Sequence, residues 1–159
     1  DTPALLAEAV STPEQVLHRS TVADLARTLA NERSALPGLI LVGNLAEGMG
    51  SNIFIVREGA LFTPSERYVL PGVSRQMTMD MAKRIGVPCT QGDIDMFDAA
   101  NAEEMFLTST SLCILPVRSF NGAPVGDGKA PGPITKTLFD AYSKSVGCDF
   151  VAQYLKFSQ

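Results

Sequence analysis

The chain has 159 residues, of which 45% are hydrophobic and 19% are charged, so it can bury one core and is not a disordered tail. Its net charge of −4 and pI near 4.9 argue against a nucleic-acid partner, because binding to phosphate backbones needs clustered lysine and arginine. No apolar run approaches the roughly 18 residues of a membrane helix, and the N-terminus lacks a basic, apolar secretory signal, so no membrane partner is expected.

The cysteines and the histidine give no sign of a metal site. Cys89, Cys113 and Cys148 are scattered, without a close pair, and predict reduced and mostly buried thiols in a cytoplasmic protein. His18 is the only histidine. The chain opens at Asp1 without a methionine, and we expect a fragment, a processed chain or an altered chain that lacks an upstream domain.

The first third predicts one helix between extended segments. Two Thr-Pro steps, at Thr2-Pro3 and Thr12-Pro13, disfavour a continuous helix over residues 1–16. Apolar residues from Thr21 to Glu32 recur at helical spacing and predict an amphipathic helix, which Pro37-Gly38 ends. Short buried strands are predicted at Leu39–Val42 and, apolar on both faces, at Asn52–Val56.

The rest of the chain interleaves strands and helices. A helix is predicted from a Ser74 cap to about Ile85, with Met77, Met81 and Ile85 on its inner face and Gly86 at its end. Before Glu104 the sequence also predicts a turn at Glu58-Gly59, a strand at Ala60–Phe62 and a short helix at Asp95–Ala100. A strand pair or one bent strand is predicted at Glu104–Val117, followed by a hairpin at Asn121-Gly122. The last predicted elements are a helix that begins at Pro133, with Ile134, Leu138, Ala141 and Tyr142 on its inner face, and a strand or helix at Phe150–Leu155. This order predicts an α/β or α+β fold.

A Leu-Pro-Gly turn that runs into a helix predicts an anion site. The start of a helix offers unpaired N–H groups and a partial positive charge, so an anion is stabilised there without a lysine. Gly72 would let the backbone approach, and the amides of Val73 and Ser74 with the Ser74 hydroxyl would point at the ligand. The alternative is an ordinary helix cap with no ligand.

Two further polar features add to this pattern. Thr108 to Ser111 are four consecutive small hydroxyl residues between apolar segments, which favours either a bound anion or a local hydroxyl-to-backbone network at a strand bend. Glu47 precedes a Gly-Met-Gly turn. It could keep the nitrogen of a pyridine ring protonated, or it could simply be solvated.

Together these segments resemble the class IV aminotransferases, the pyridoxal-phosphate enzymes that include branched-chain and D-amino-acid aminotransferases and aminodeoxychorismate lyase. The resemblance runs from roughly Val16 to Tyr154. Four segments follow one another in the family's order. The first two are a Glu-Gly-x-x-x-Asn-x-Phe pattern, made by Glu47, Gly48, Asn52 and Phe54, and the segment from Leu70 to Arg75. The third is Thr108 to Leu112, ahead of Pro116-Val117, and the fourth is VGDGKAPGPIT from Val125 to Thr135, with one extra residue before Gly132-Pro133.

The resemblance implies a fold, a cofactor and site residues. The fold would be the family's large domain, a mixed sheet forming a pseudo-barrel flanked by helices, over residues 17–159, with residues 1–16 as a lead-in or the remnant of an upstream small domain. The cofactor would be pyridoxal 5'-phosphate. Its implied contacts are Glu47 at the pyridine nitrogen, Leu70 against the ring, Gly72, Val73, Ser74 and Thr110 at the phosphate, and the amides of Ser111 and Leu112 near the substrate carboxylate.

The chain departs from the family at the lysine that forms the Schiff base with the cofactor. Leu17 occupies the place of that lysine, and no lysine precedes Lys83. The resemblance implies amino-group transfer between an amino acid, branched-chain or other, and a 2-oxo acid, in a homodimer. Without the lysine, no catalytic residue is assigned, covalent linkage of the cofactor is not expected, and activity of the isolated chain is not expected. Three alternatives stay open. The first is an authentic class IV enzyme seen as a fragment or altered chain, with the alignment near Leu17 displaced by a few residues. The others are a lysine-less, inactive relative that binds pyridoxal phosphate or another anion noncovalently, and a decayed domain kept for assembly.

Overall fold

The computed structural model describes residues 3–8, 16–21 and 39–157, and most of its strands form one mixed sheet. The strands are β1 (Pro3–Glu8), β2 (Val16–Thr21), β3 (Leu39–Val42), β4 (Glu47–Gly48), β5 (Ser51–Arg57), β6 (Ala60–Pro64), β7 (Cys89–Gly92), β8 (Glu104–Ser109), β9 (Cys113–Pro116), β10 (Ser119–Phe120) and β11 (Ala123–Pro124). The helices are α1 (Val73–Ile85), α2 (Met96–Ala100), α3 (Pro133–Val146) and α4 (Phe150–Phe157).

The sheet order is β2-β1-β3-β4-β5-β6-β7, with β8 added against β5 and β9 against β8. All of its pairs are antiparallel except β6 with β7, which are joined through α1. The mixed α/β class with flanking helices is therefore confirmed. Among the described strands the pairings leave the sheet open and branched at β5, rather than closed into a barrel.

Strand β5 is the centre of the fold because its apolar residues are buried on both faces. Ile53 and Ile55 pack in one core cluster with residues around α2, while Phe54 and Val56 pack in a second cluster beneath α1 and α3. The ring of Phe54 stacks on that of Phe106 from β8, with centroids 5.1 Å apart. This two-sided burial confirms the interior strand that the sequence predicts.

Several predicted elements are confirmed. The strand at Leu39–Val42, the short helix after Asp95, the strand pair across Glu104–Val117 and the hairpin at Asn121-Gly122 are all present, and Pro133 is the first residue of α3. The last element, predicted as a strand or a helix, is helix α4. The amphipathic helix predicted from Thr21 to Glu32 lies outside the described residues, except that Thr21 is the last residue of β2.

Two details of α1 were predicted wrongly. The N-cap is Gly72 rather than Ser74, and no side chain caps the helix within the described residues. The buried face carries Arg75, Thr78, Met81 and Ala82, whereas Met77 is 36% exposed. The buried guanidinium of Arg75 explains this rotation of the helix, because the oxygens of Thr63, Pro64, Gln91 and Glu66 accept its hydrogen bonds.

Candidate functional site

A row of three polar residues crosses the sheet near the start of β5. Glu47 in β4 pairs with Asn52 in β5, and Asn52 pairs with Thr108 in β8. Directly paired residues of antiparallel strands project to the same face, about 5 Å apart. The register therefore sets an acid, an amide and a hydroxyl side by side.

This row lines a cavity of about 200 Å³ that the turn before α1 also bounds. The lining residues come from β4, β5 and the turn between them, from the start of α1 and from the end of β8: Glu47, Gly48, Met49, Gly50, Ser51, Asn52, Leu70, Gly72, Val73, Ser74, Thr108, Ser109 and Thr110. Among these described residues, Glu47 is the one charged side chain. The volume is below the roughly 300–1,000 Å³ usual for small-molecule sites, so the described residues enclose only part of a cofactor-sized ligand.

The carboxylate of Glu47 is bound on one oxygen only. Its Oε2 accepts hydrogen bonds from Asn52 Nδ2 at 2.8 Å and from the Leu70 amide at 2.9 Å. No described residue donates a hydrogen bond to Oε1. The acid is therefore fixed in orientation while one oxygen stays available as an acceptor.

At the start of α1, the backbone at Gly72 lies very close to the side chain of Asn52. An added Cβ on Gly72 would lie 2.1 Å from Asn52 Oδ1, so only glycine fits there. The amides of Val73 and Ser74 belong to the first turn, where the helix itself supplies no acceptor. Within this described helix, the first turn also carries no acidic side chain, so nothing in it opposes a bound anion.

The hydroxyl segment forms the end of β8 and the turn to β9. Ser109 pairs with Cys113 across a turn of three residues, and Ser109 Oγ accepts a hydrogen bond from the Leu112 amide at 3.0 Å. Thr108 differs, because it is 1% exposed and its Oγ1 has no hydrogen-bond partner in the described part of the chain. A buried hydroxyl without a partner is costly, and here it belongs to a residue that lines the cavity.

Tyr142 of helix α3 interacts with Cys113 at the end of this turn. A side-chain hydrogen bond to Cys113, followed by burial, raises the pKa of Tyr142 to about 12. Cys113 has a positive φ of 56°, which is unfavourable for a residue with a side chain. The phenol therefore stays protonated at neutral pH and contacts the residue at which β9 begins.

Residues 14–120, more than half of the chain, match the family described as amino-transferase class IV. The chain belongs to this family.

The similar proteins carry the names of two aminotransferase types. The D-alanine aminotransferase of Listeria innocua is 33% identical over 124 residues, which are 77% of this chain and 43% of the relative. The structure of the branched-chain amino acid aminotransferase from Escherichia coli is 35% identical with a TM-score of 0.64, over 68% of this chain and 38% of that one. This class IV aminotransferase chain therefore spans less than half the length of these relatives.

A further similar structure holds a cofactor. An aminotransferase from Brucella abortus, bound to the co-factor PLP, is 29% identical with a TM-score of 0.59 and covers 64% of this chain and 35% of its own. That complex shows that a class IV neighbour of this chain binds pyridoxal phosphate.

The structure brings most of the predicted site residues of this class IV aminotransferase together. Six of the eight line the cavity, namely Glu47, Leu70, Gly72, Val73, Ser74 and Thr110. Ser111 and Leu112 are in the adjoining turn and are not among the lining residues. The roles assigned to all eight remain predictions.

Two members of the polar row across β4, β5 and β8 were not predicted as site residues. The sequence marks Asn52 only as part of a motif, and Thr108 only as part of a run of hydroxyls. The sequence signal that could have identified Asn52 and Thr108 as site residues is the position of each within its strand. Glu47, Asn52 and Thr108 become neighbours once the register of β4, β5 and β8 is known, and the sequence does not give that register.

No lysine of the chain reaches this cavity. All five lysines lie in the part of the chain that the structure describes, at positions 83, 129, 136, 144 and 156, and none is a lining residue. Leu17, the residue to which the resemblance assigns the position of the family's lysine, lies in β2.

Among the described residues, no helix is both long enough and apolar enough to cross a membrane.

The described residues fit a ring with a nitrogen at one end and a phosphate at the other. Glu47 Oε1 is a free acceptor for a ring N–H, and the uncapped start of α1 is a set of donors for an anion. The unpaired hydroxyl of Thr108 adds a third group that a ligand would satisfy.

Proposed function

We propose that this chain forms the cofactor-binding part of a class IV aminotransferase, which uses pyridoxal 5'-phosphate to transfer an amino group between an amino acid and a 2-oxo acid. The observation that carries the proposal is the single cavity lined by both Glu47 and the uncapped start of α1. Similar proteins named for branched-chain amino acids support that substrate class, and one named for D-alanine widens it. A homodimer in the cytoplasm remains the prediction for the assembly and its location.

Each residue has a distinct task in this proposal. Glu47 Oε1 accepts the ring N–H, and the exposed Leu70 side chain packs on the ring. The amides of Val73 and Ser74, with the hydroxyls of Ser74 and Thr110, hold the phosphate. When bound, the cofactor supplies an electron sink for bonds broken at the α carbon of the amino acid.

The substrate carboxylate is assigned to the turn between β8 and β9. The amides of Ser111 and Leu112 are the proposed donors. Because the Leu112 amide already donates to Ser109 Oγ, its role requires that bond to be shared or exchanged.

A second candidate function is noncovalent binding without catalysis. The observation that favours it is that none of the five lysines lines the cavity, so the described residues offer no amine for covalent attachment. In this case the chain is a pyridoxal-phosphate-binding or assembly domain.

Binding is tested by calorimetric titration with pyridoxamine 5'-phosphate, which has no aldehyde and cannot attach to surface lysines. Saturable binding at one site per chain is expected, with much weaker binding of inorganic phosphate and of pyridoxamine alone. The absence of saturable binding would overturn the proposal.

The two candidates are separated with pyridoxal 5'-phosphate itself. The complex is reduced with borohydride and its peptides are examined by mass spectrometry, and pyridoxamine 5'-phosphate formation from an added amino acid is followed in parallel. A single linked lysine together with turnover supports amino-group transfer by this chain. Saturable binding without a linked lysine and without turnover supports the noncovalent candidate.

A further inference from the structure

We infer that Asn52 is the positioning residue of this site, because its side-chain amide orients the Glu47 carboxylate and ties it to the turn that opens α1. The inference rests on the proposed function for the identity of the ligand. The geometry itself consists of contacts within the chain and is independent of any ligand.

The amide of Asn52 uses both of its hydrogens. Nδ2 donates to Glu47 Oε2 at 2.8 Å and to the Leu70 carbonyl oxygen at 3.0 Å. The reversed amide would place Oδ1 against these two acceptors, so the contacts admit one orientation only. Asn52 is 6% exposed, which shields both bonds from competition with water.

As a consequence, the two carboxylate oxygens of Glu47 have different hydrogen-bond partners. The Leu70 amide donates to the same Oε2 at 2.9 Å, so two donors converge on one oxygen. Oε1 is left without a donor among the described residues and becomes the acceptor for a ligand. Loss of the Asn52 amide would leave the carboxylate with one bond and free to rotate.

Asn52 also sets the distance between the acid and the anion site. Its Oδ1 lies against Gly72, where an added Cβ would be only 2.1 Å away. One side chain therefore contacts Glu47 in β4, the carbonyl of Leu70 and the N-cap of α1. A rigid ligand that binds the acid at one end and the helix start at the other depends on that spacing.

The first experiment needs no ligand. Hydrogen exchange of the Leu70 amide is measured in the wild-type chain, in Asn52→Ala and in the matched control Asn101→Ala. Asn101 also donates a hydrogen bond through Nδ2, to the Phe97 carbonyl, but it is exposed and does not line the cavity. Exchange at Leu70 is expected to accelerate about tenfold or more in Asn52→Ala and to stay unchanged in Asn101→Ala.

The second experiment uses pyridoxamine 5'-phosphate labelled with ¹⁵N in the ring, because the ring-nitrogen signal reports whether that nitrogen is protonated. In the wild-type complex we expect a protonated ring nitrogen. In Asn52→Ala the dissociation constant is expected to rise about tenfold, because the Glu47 carboxylate is no longer held in the orientation that presents Oε1 to the ring N–H. The ring nitrogen is expected to move towards the unprotonated signal, while the ³¹P signal of the bound phosphate is retained.

The possible results separate the inference from the proposed function. Folded Asn52→Ala protein with wild-type Leu70 exchange, or with an unchanged ring-nitrogen signal, overturns the inference. Failure of the wild-type chain to bind the ligand overturns the proposed function, while the exchange result still decides the role of Asn52. If Asn52→Ala does not fold, Asn52→Ser is used, because a serine hydroxyl has a single hydrogen and cannot satisfy both acceptors.

Discussion

Two buried threonine hydroxyls lack a partner in the described part of the chain, and they lie in different surroundings. Thr108 and Thr135 are each 1% exposed. Thr108 lines the cavity, whereas Thr135 lies in the first turn of α3, where its amide donates to Glu104. A binding site accounts for the first unpaired hydroxyl and not for the second.

Thr108→Val is predicted to stabilise the free chain and to weaken ligand binding. Replacing an unsatisfied buried hydroxyl by a methyl group should raise the free energy of unfolding by about 1 kcal/mol. The dissociation constant for pyridoxamine 5'-phosphate should rise about fivefold or more, since a hydrogen bond to the ligand is lost. Urea denaturation and calorimetry measure the two effects.

Thr135→Val is the matched control for this change. It removes the other unpaired hydroxyl and should stabilise the chain by a similar amount with no change in ligand affinity. Equal effects of the two variants on affinity would show that Thr108 does not contact the ligand.

Glu47→Gln is predicted to weaken binding of the complete ligand and to spare the anion site. The glutamine carbonyl can take the two bonds now made to Oε2, which leaves an NH₂ donor facing a ring N–H. Affinity for pyridoxamine 5'-phosphate should fall about tenfold, because the charge-assisted bond is lost. Affinity for inorganic phosphate should remain that of the wild type.

Calorimetry compares Glu47→Gln with Glu58→Gln, a change of the same kind on an exposed turn outside the cavity. Retention of full affinity for pyridoxamine 5'-phosphate in Glu47→Gln would remove the acid from the site.

At the scale of elements, helix α3 is held to β8 by a buried carboxylate. The Glu104 side chain accepts hydrogen bonds from the amides of Ile134 and Thr135, at 2.7 Å and 2.8 Å, and so occupies the positive end of the helix. The contact is close enough that a Cβ on Gly132 would lie 2.3 Å from Glu104 Cδ. In α1 the corresponding helix start carries no side-chain cap among the described residues.

Gly132→Ala is therefore predicted to destabilise the fold. The φ of −77° at Gly132 is accessible to alanine, so the expected loss of about 1–3 kcal/mol comes from overpacking against Glu104. Gly92→Ala is the control, because nothing lies within 4 Å of its added Cβ. Thermal and urea unfolding compare the variants, and equal stability would contradict the close contact at Gly132.

The elements that could be predicted from the sequence are those with local signals. Strand β5 is marked by its apolar run, and Gly86 ends α1 with a φ of 77°. The inner face of α1 was partly wrong because spacing alone favoured Met77. The buried position of Arg75 depends on oxygens supplied by distant segments at Thr63, Pro64 and Gln91.

The candidate site was predictable as a set of motifs and not as a network. The segments at Glu47, Leu70–Ser74 and Thr110 line one cavity, as their resemblance to the family implied. The bridging contacts of Asn52 depend on strand register and on the fold of the turn before Gly72, which are non-local properties.

For the whole molecule, the cavity has an apolar and exposed rim. The side chains of Met49, Leu70 and Val73 line it and are 78%, 72% and 69% exposed. Exposed apolar side chains that cluster around a concave site are typical of a binding surface. The rim is therefore the surface on which a bound ligand would bury apolar area.

Leu17→Lys tests whether the missing amine alone separates this chain from covalent cofactor binding. Pairing of the described strands connects Leu17 through Ala7 and Leu39 to Gly48, which is adjacent to Glu47. The resemblance to the family places the lysine at this residue. The amine introduced by Leu17→Lys is therefore expected to form a borohydride-reducible link to pyridoxal 5'-phosphate, detected by mass spectrometry of the reduced chain.

His18→Lys is the comparison for this experiment, because it adds the same amine one residue further along β2, in the neighbouring row of strand pairings. A link at position 17 alone would support the family's lysine position at Leu17, and a link at position 18 alone would move that position by one residue along β2. If both variants are linked equally at the substituted position, the reaction is one of accessible amines and not of the site. If neither variant is linked there while pyridoxamine 5'-phosphate binds, residue 17 does not reach the cofactor in this chain, and the family's lysine position is not carried by β2.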